Sequence, residues 1–180
     1  MKKVLYFAAL LLCAGLTSCE KDEIGGTANE AMAGDWYVTV DAADESGNIY
    51  VDSDGDAWTD PFSMGRVHMI TSNTAANTAT ELMVDDLGGF WTFRVKTTAD
   101  PNAMTFATST SENNNLNGDD INVTISGGKI MPKAGRQNNG SVADSIVFYV
   151  SFSDDVYPAA YGYAKYKVSG IRYSGLVEND

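Results

Sequence analysis

Hydrolytic chemistry needs a nucleophile, a base and a donor to hold an oxyanion. The 180-residue chain has one imidazole for that purpose, His68 in Arg66-Val67-His68-Met69-Ile70. Arg66, His68 and Ile70 share one face of an extended segment and Val67 and Met69 the other, so His68 is expected on the wetter side of a strand. No Gly-x-Ser-x-Gly elbow occurs; Phe62-Ser63-Met64-Gly65 comes nearest, without the first glycine or a strand-to-helix turn. Paired carboxylates recur at Asp85-Asp86, Asp119-Asp120 and Asp154-Asp155. Two carboxylates flanking a bond would suit glycoside hydrolysis, but neighbours in a strand point to opposite faces, so each pair reads first as solvated turn residues. Asp52, Asp54 and Asp56 alternate as in a calcium loop. Gly55 stands before the third acid, however, and no Glu closes the loop at the twelfth position, which makes an acidic hairpin turn the first reading and a weak calcium site the second. One histidine and no free mature cysteine leave zinc without a ligand set, and no other cofactor is indicated.

Aromatic residues are the more suggestive group. Tyr157, Tyr161, Tyr163, Tyr166 and Tyr173 crowd the C-terminal stretch. Tyr161 and Tyr163, two apart, share a strand face, where they line a cavity mouth, form a carbohydrate platform or simply cover a sheet with amphipathic rings.

The elements that position these residues show period 2. Trp36, Val38 and Val40 alternate with Tyr37, Thr39 and Asp41; Trp91, Phe93 and Val95 with Thr92, Arg94 and Lys96; Ile121, Val123 and Ile125 with Asn122 and Thr124. Ile146, Phe148, Val150 and Phe152 form the longest such series. Further strands are expected at 48–52, 65–71, 80–84, 103–108, 128–132 and 161–174, the last bending at Gly170, with a short helical turn around 74–79. Between them lie Asn-, Asp- and Gly-rich turns. Roughly eight to ten alternating strands joined by polar loops make an all-β antiparallel sandwich or barrel, and closure into a barrel removes exposed edges.

The start of the chain fixes its address. Met1-Lys2-Lys3 is a positive n-region, Val4 to Gly15 an apolar run of about a dozen residues, too short to span a bilayer, and Leu16-Thr17-Ser18-Cys19 the spacing of a lipoprotein cleavage site. Residues 1–18 read as a signal peptide, Cys19 as the lipidated N-terminus, 19–32 as lipidated Cys plus flexible tether and 33–180 as one domain. Several acyl chains anchor stably where one would not. Cys13, the other cysteine, leaves with the signal peptide, so the domain carries no disulfide. The net charge is −12, and removal of Lys2 and Lys3 makes the mature chain more acidic still; nucleic acid and anionic headgroups are poor partners for it. The acidic Glu20-Lys21-Asp22-Glu23 after the lipid resembles the signals that send some Bacteroides-type lipoproteins to the outer face of the outer membrane, the periplasmic face being the alternative.

Gly34-Asp35-Trp36 opening the first strand resembles the Gly-x-Trp arrangement of lipocalin-like (calycin-type) barrels, in which the Trp plugs the closed end and an Arg of the last strand covers its ring; Arg172 is the matching residue. Longer stretches resemble a family of Bacteroides-type lipoproteins catalogued as lipid-binding putative hydrolases: Gly34–Val38, Ser72–Asn77, Met83–Asp86, Phe90–Lys96, Gly128–Ile130, Asp144–Phe148 and Gly170–Gly175. The resemblance implies a lipocalin-like barrel and an apolar ligand.

Three functions follow in order. The first is an outer-membrane lipoprotein whose barrel binds an apolar or amphipathic, lipid-like molecule, with Trp91, Phe93, Phe148, Phe152, Tyr161 and Tyr163 facing the ligand. The second is a surface adhesion or accessory lipoprotein recognising glycan or protein through its loops. The third is a hydrolase. The barrel interior discriminates the first two, since large inward side chains would leave a ligand no volume there.

Overall fold

A computed structural model describes residues 26–109, 115–117, 120–176 and 179. Cys19 and the signal segment lie outside the described residues. Eight antiparallel strands form a closed barrel in chain order: β1 Gly34–Ala43, β2 Val67–Asn73, β3 Glu81–Asp85, β4 Arg94–Asp100, β5 Thr105–Ala107, β6 Val123–Arg136, β7 Val142–Phe152 and β8 Lys165–Arg172. β8 pairs back onto β1 from Trp36↔Arg172 to Ala43↔Lys165. Gly170 allows this seam to close, because a Cβ there would meet the Tyr37 carbonyl and the Val38 backbone; the pairing runs through it without a register shift on either side.

Period-2 alternation becomes burial. Trp36, Val38, Val40 and Ala42 of β1 face inward, as do Ile146, Phe148, Val150 and Phe152 of β7. Phe93, Val95, Ile125, Phe148 and Val168 are at most 1 % exposed. A cavity wide enough for an acyl chain would leave its lining accessible, so the interior is filled by side chains, as an eight-stranded barrel permits. Each buried Val, Ile or Phe contributes about 1.5–3 kcal/mol, and the same residues leave no ligand volume at mid-barrel.

Three local expectations change. Residues 48–52 form only isolated bridges, Ala43↔Ile49 and Val51↔Ala57. The segments expected at 121–125 and 128–132 are one strand, β6, which absorbs a register shift between Ser126 and Lys129. The helical turn falls at Tyr157–Tyr161 (α1), set by Pro158 near its start and Gly162 in the left-handed region at its end, and 74–80 is a turn.

One end is closed. The Trp36 ring is fully buried, its Nε1–H donates to Thr71 Oγ1 (2.8 Å), and that hydroxyl donates to the Met32 carbonyl (2.6 Å). The Arg172 guanidinium lies 4.6 Å from the ring centroid, donates from Nη1 to Ala33 O and pairs through Nε with Asp144 (3.2 Å). A Cβ at Gly34 would collide with that guanidinium, the reason for glycine two places before the Trp. The last residues of the segment read as a tether pack here: a 3-10 turn, Glu30–Met32, puts Met32 in the core, and Asn29 donates to the carbonyls of Thr78 and Glu81.

Candidate functional site

The opposite end, the mouth, is built from the loops 44–66, 86–93 and 153–164, with the described residues 108–109, 115–117 and 120–122. In the first, Asp52 is the organiser: Oδ1 accepts the N–H groups of Asp54 and Asp56 (3.0 Å each) and Oδ2 the Trp58 indole N–H (2.9 Å). The indole hydrogen bond, with the backbone donors behind it, holds the Asp52 carboxyl below its usual range. The tract weighed as a calcium loop is thus a turn folded on its own first carboxylate, with Asp54 and Asp56 exposed. No three acidic or imidazole groups converge among the described residues.

In the second loop the work falls to Asp86, which is fully buried instead of solvated. Its Oδ1 accepts the N–H groups of Gly88 and Phe93 (2.9 Å each), and Oδ2 those of Phe90 (3.1 Å), Trp91 and Thr92 (2.8 Å each). The loop is wrapped around this carboxylate, which satisfies donors that no sheet partner reaches. Phe90 and Trp91 are thereby held over the barrel. Trp91 stacks on Phe152 (4.7 Å, 5°) and donates its indole N–H to Asp154 (3.1 Å); Phe90 packs on Tyr166 at 5.0 Å.

The last loop carries α1 and brings Tyr157, Tyr161 and Tyr163 against Trp58 and Phe62. Ring centroids are 5.1 Å apart for Trp58–Tyr161, 6.0 Å for Trp58–Tyr163 and 5.6 Å for Phe62–Tyr157. The Tyr50 hydroxyl ties the two loops by donating to the Tyr161 carbonyl (2.8 Å). Between them lies a crevice of about 260 Å³ lined by Trp58, Pro61, Phe62, Tyr157, Tyr161 and Tyr163. Beneath it the Tyr163 and Tyr166 hydroxyls share a hydrogen bond of 2.6 Å. Burial pushes the Tyr163 hydroxyl up to about 12 and that of Tyr166 higher still, so both are neutral hydrogen-bonding groups at physiological pH. A larger cleft, about 590 Å³, lies at the closed end beside Val142, Ala143 and Leu176, but it has a single ring, Tyr173, against the five of the mouth.

The residues expected to face a ligand therefore divide. Phe93 and Phe148 are sealed in the core, Phe148 against Phe106 (5.7 Å), and face no ligand space. Trp91 and Phe152 roof that core. Tyr163 is buried at the crevice and Tyr161, on α1 and not on a strand, is 52 % exposed at its edge. Trp58, Phe62 and Phe90 are additions. A Trp beside an acidic turn and the Gly-Gly-Phe-Trp run were visible signals, but nothing in the spacing places residues about a hundred positions apart in one crevice.

His68 lies on the outer wall, 3.4 Å from Asp35 through Nδ1 and packed edge-on against Tyr37 (4.8 Å) and Tyr173 (4.3 Å). Its neighbours there are a carboxylate and two tyrosine rings. No described helix is long and apolar enough to cross a membrane.

No curated protein matches the chain. A family model described as "Lipid-binding putative hydrolase" matches residues 21–177, which takes in all eight strands and every residue of the crevice. The chain belongs to that lipid-binding family.

Proposed function

We propose that the protein is an outer-membrane lipoprotein, anchored through acyl chains on Cys19 and held at the cell surface, that binds an apolar or amphipathic small molecule in the aromatic crevice at the barrel mouth. The observation that carries this reading is the crevice itself: five rings from two loops around about 260 Å³, above an interior with no room of its own. Pockets dominated by apolar and aromatic walls with a few polar groups are what small apolar ligands use, and the family's lipid-binding description supports the same class. The Leu16–Cys19 cleavage spacing and the acidic Glu20–Glu23 stretch support the anchor and its outward address. His68 stands on the outer wall, outside the crevice lining, so the reading includes no catalytic step.

Native mass spectrometry of the chain from Glu20 onward, which keeps every residue of the closed barrel, tests the reading. After exposure to membrane extract, one bound apolar molecule per chain is expected, lost in Tyr161→Ala, where an exposed ring is removed without touching the core. A chain that stays empty overturns the reading, and a ligand retained by the variant moves it away from the crevice. Glycan or protein captured by the intact loops instead would favour surface recognition.

A further inference from the structure

The chemical class of that ligand is written in the charge around the crevice. Its two loops, 44–66 and 153–164, carry eight acidic side chains, from Asp44 to Asp155, and one basic side chain, Arg66. Arg66 is held on the outer wall, 5.6 Å from the centroid of the Tyr37 ring. The crevice lining itself contains no cationic residue.

The acids are coupled to the rings. Asp52 accepts the indole N–H of Trp58, and Asp154 that of Trp91. A carboxylate on an indole N–H feeds electron density into the ring and deepens the negative face that attracts cations. Asp155 is the third. Its Oδ1 accepts the Tyr157 N–H (2.9 Å), while Oδ2 is buried on the side of the Tyr166 hydroxyl. That oxygen lies near the Tyr163–Tyr166 hydroxyl pair, where its charge adds to the burial that keeps both hydroxyls protonated. A carboxylate oxygen held out of water is costly and becomes less so when a positive charge arrives. Carboxylate and phosphate heads face the opposite balance, repelled by the loops with no cation in the lining to receive them.

We propose that the mouth crevice selects a positively charged amphiphile, its ammonium head against the faces of Trp58 and Tyr163 and its apolar tail along Phe62 and the neighbouring rings. This rests on the binding reading above and adds the charge of the ligand to it.

Three eight-carbon probes separate the two claims: octyltrimethylammonium, octyl glucoside and octanoate, titrated as monomers into the chain from Glu20 onward and followed by calorimetry and tryptophan fluorescence. The ammonium probe is expected to bind about tenfold or more tighter than the glucoside, with octanoate weakest. The margin should narrow as salt is raised, because exposed charges are screened, and should fall severalfold in Asp155→Asn. Should that variant fail to fold, the exposed pair Asp54→Asn/Asp56→Asn tests the same direction. Equal binding of all three probes, or a margin unchanged in every folded variant, overturns charge selection and leaves the crevice as an apolar site. Binding of none overturns the crevice reading and this proposal with it.

Discussion

Asp86→Asn is the sharpest test of how the mouth is held. The substitution keeps Oδ1, and with it the bonds from Gly88 and Phe93, but turns Oδ2 into an amide nitrogen whose hydrogens face the N–H groups of Phe90, Trp91 and Thr92. Three charge-assisted bonds of 2.8–3.1 Å are lost and three donors are left confronting a donor. Bonds to charged groups are worth about 1.5–3 kcal/mol each, but a surface loop regains some of that from water, so about 1 kcal/mol per bond is a conservative figure. The expected loss is about 3 kcal/mol, or about 6–12 °C in Tm for a chain of this length. Urea unfolding measures it, and acrylamide quenching of Trp91 reports whether the ring leaves Phe152. A loss below about 1 kcal/mol with Trp91 still protected would refute the argument that one carboxylate organises the loop.

Other outcomes follow from the same geometry. Trp36→Ala removes a fully buried ring and should cost about 3–5 kcal/mol; under about 1 kcal/mol in a denaturant titration, the residue is no plug. Tyr163 and Tyr166 titrate above their ordinary range in the folded state, so the unfolded chain releases these protons first. Stability should be intact below about pH 10 and drain away toward about pH 12, while a tyrosinate absorbance titration of the chain from Glu20 onward that shows all of its tyrosines ionising together near 10 contradicts the buried pair. Cys19→Ala should abolish incorporation of labelled palmitate and release the protein from the membrane fraction; label retained by the variant rules out the anchor.

Much of the barrel was legible because alternation is a direct consequence of one face being wet. β1 from Trp36 to Ala42 and β7 from Ile146 to Phe152 carry it without interruption and were readable residue by residue. Where a side chain competes for the backbone, the pattern misleads. Trp91 continues the alternation of Phe93 and Val95, yet the strand starts only at Arg94, because Asp86 captures the N–H groups of residues 88–93. Tyr161 and Tyr163 look like a strand by spacing, but Pro158 and Gly162 set a helix and its cap across them. The filled interior followed from residue sizes that were in view, though whether eight strands or ten surrounded them was not, and that number decides the free volume. The crevice was least legible, since its two halves meet only through tertiary contacts.

The ring order also sets a sequence of events in time. Seven seams join strands that are consecutive in the chain, each within reach of a local hairpin. The eighth unites β1 with β8, where Thr39 Oγ1 donates to the carbonyl of Ser169, 130 positions away. Loop-closure entropy grows with the logarithm of separation, so this contact is the most expensive to nucleate and comes late. The chain carries probes for both stages. Trp91, on the β3–β4 connection, changes its surroundings when a local hairpin forms, whereas Trp36 gains Arg172 only when the ring closes. A refolding experiment that follows the two indoles separately would time the hairpin and the closure within one molecule.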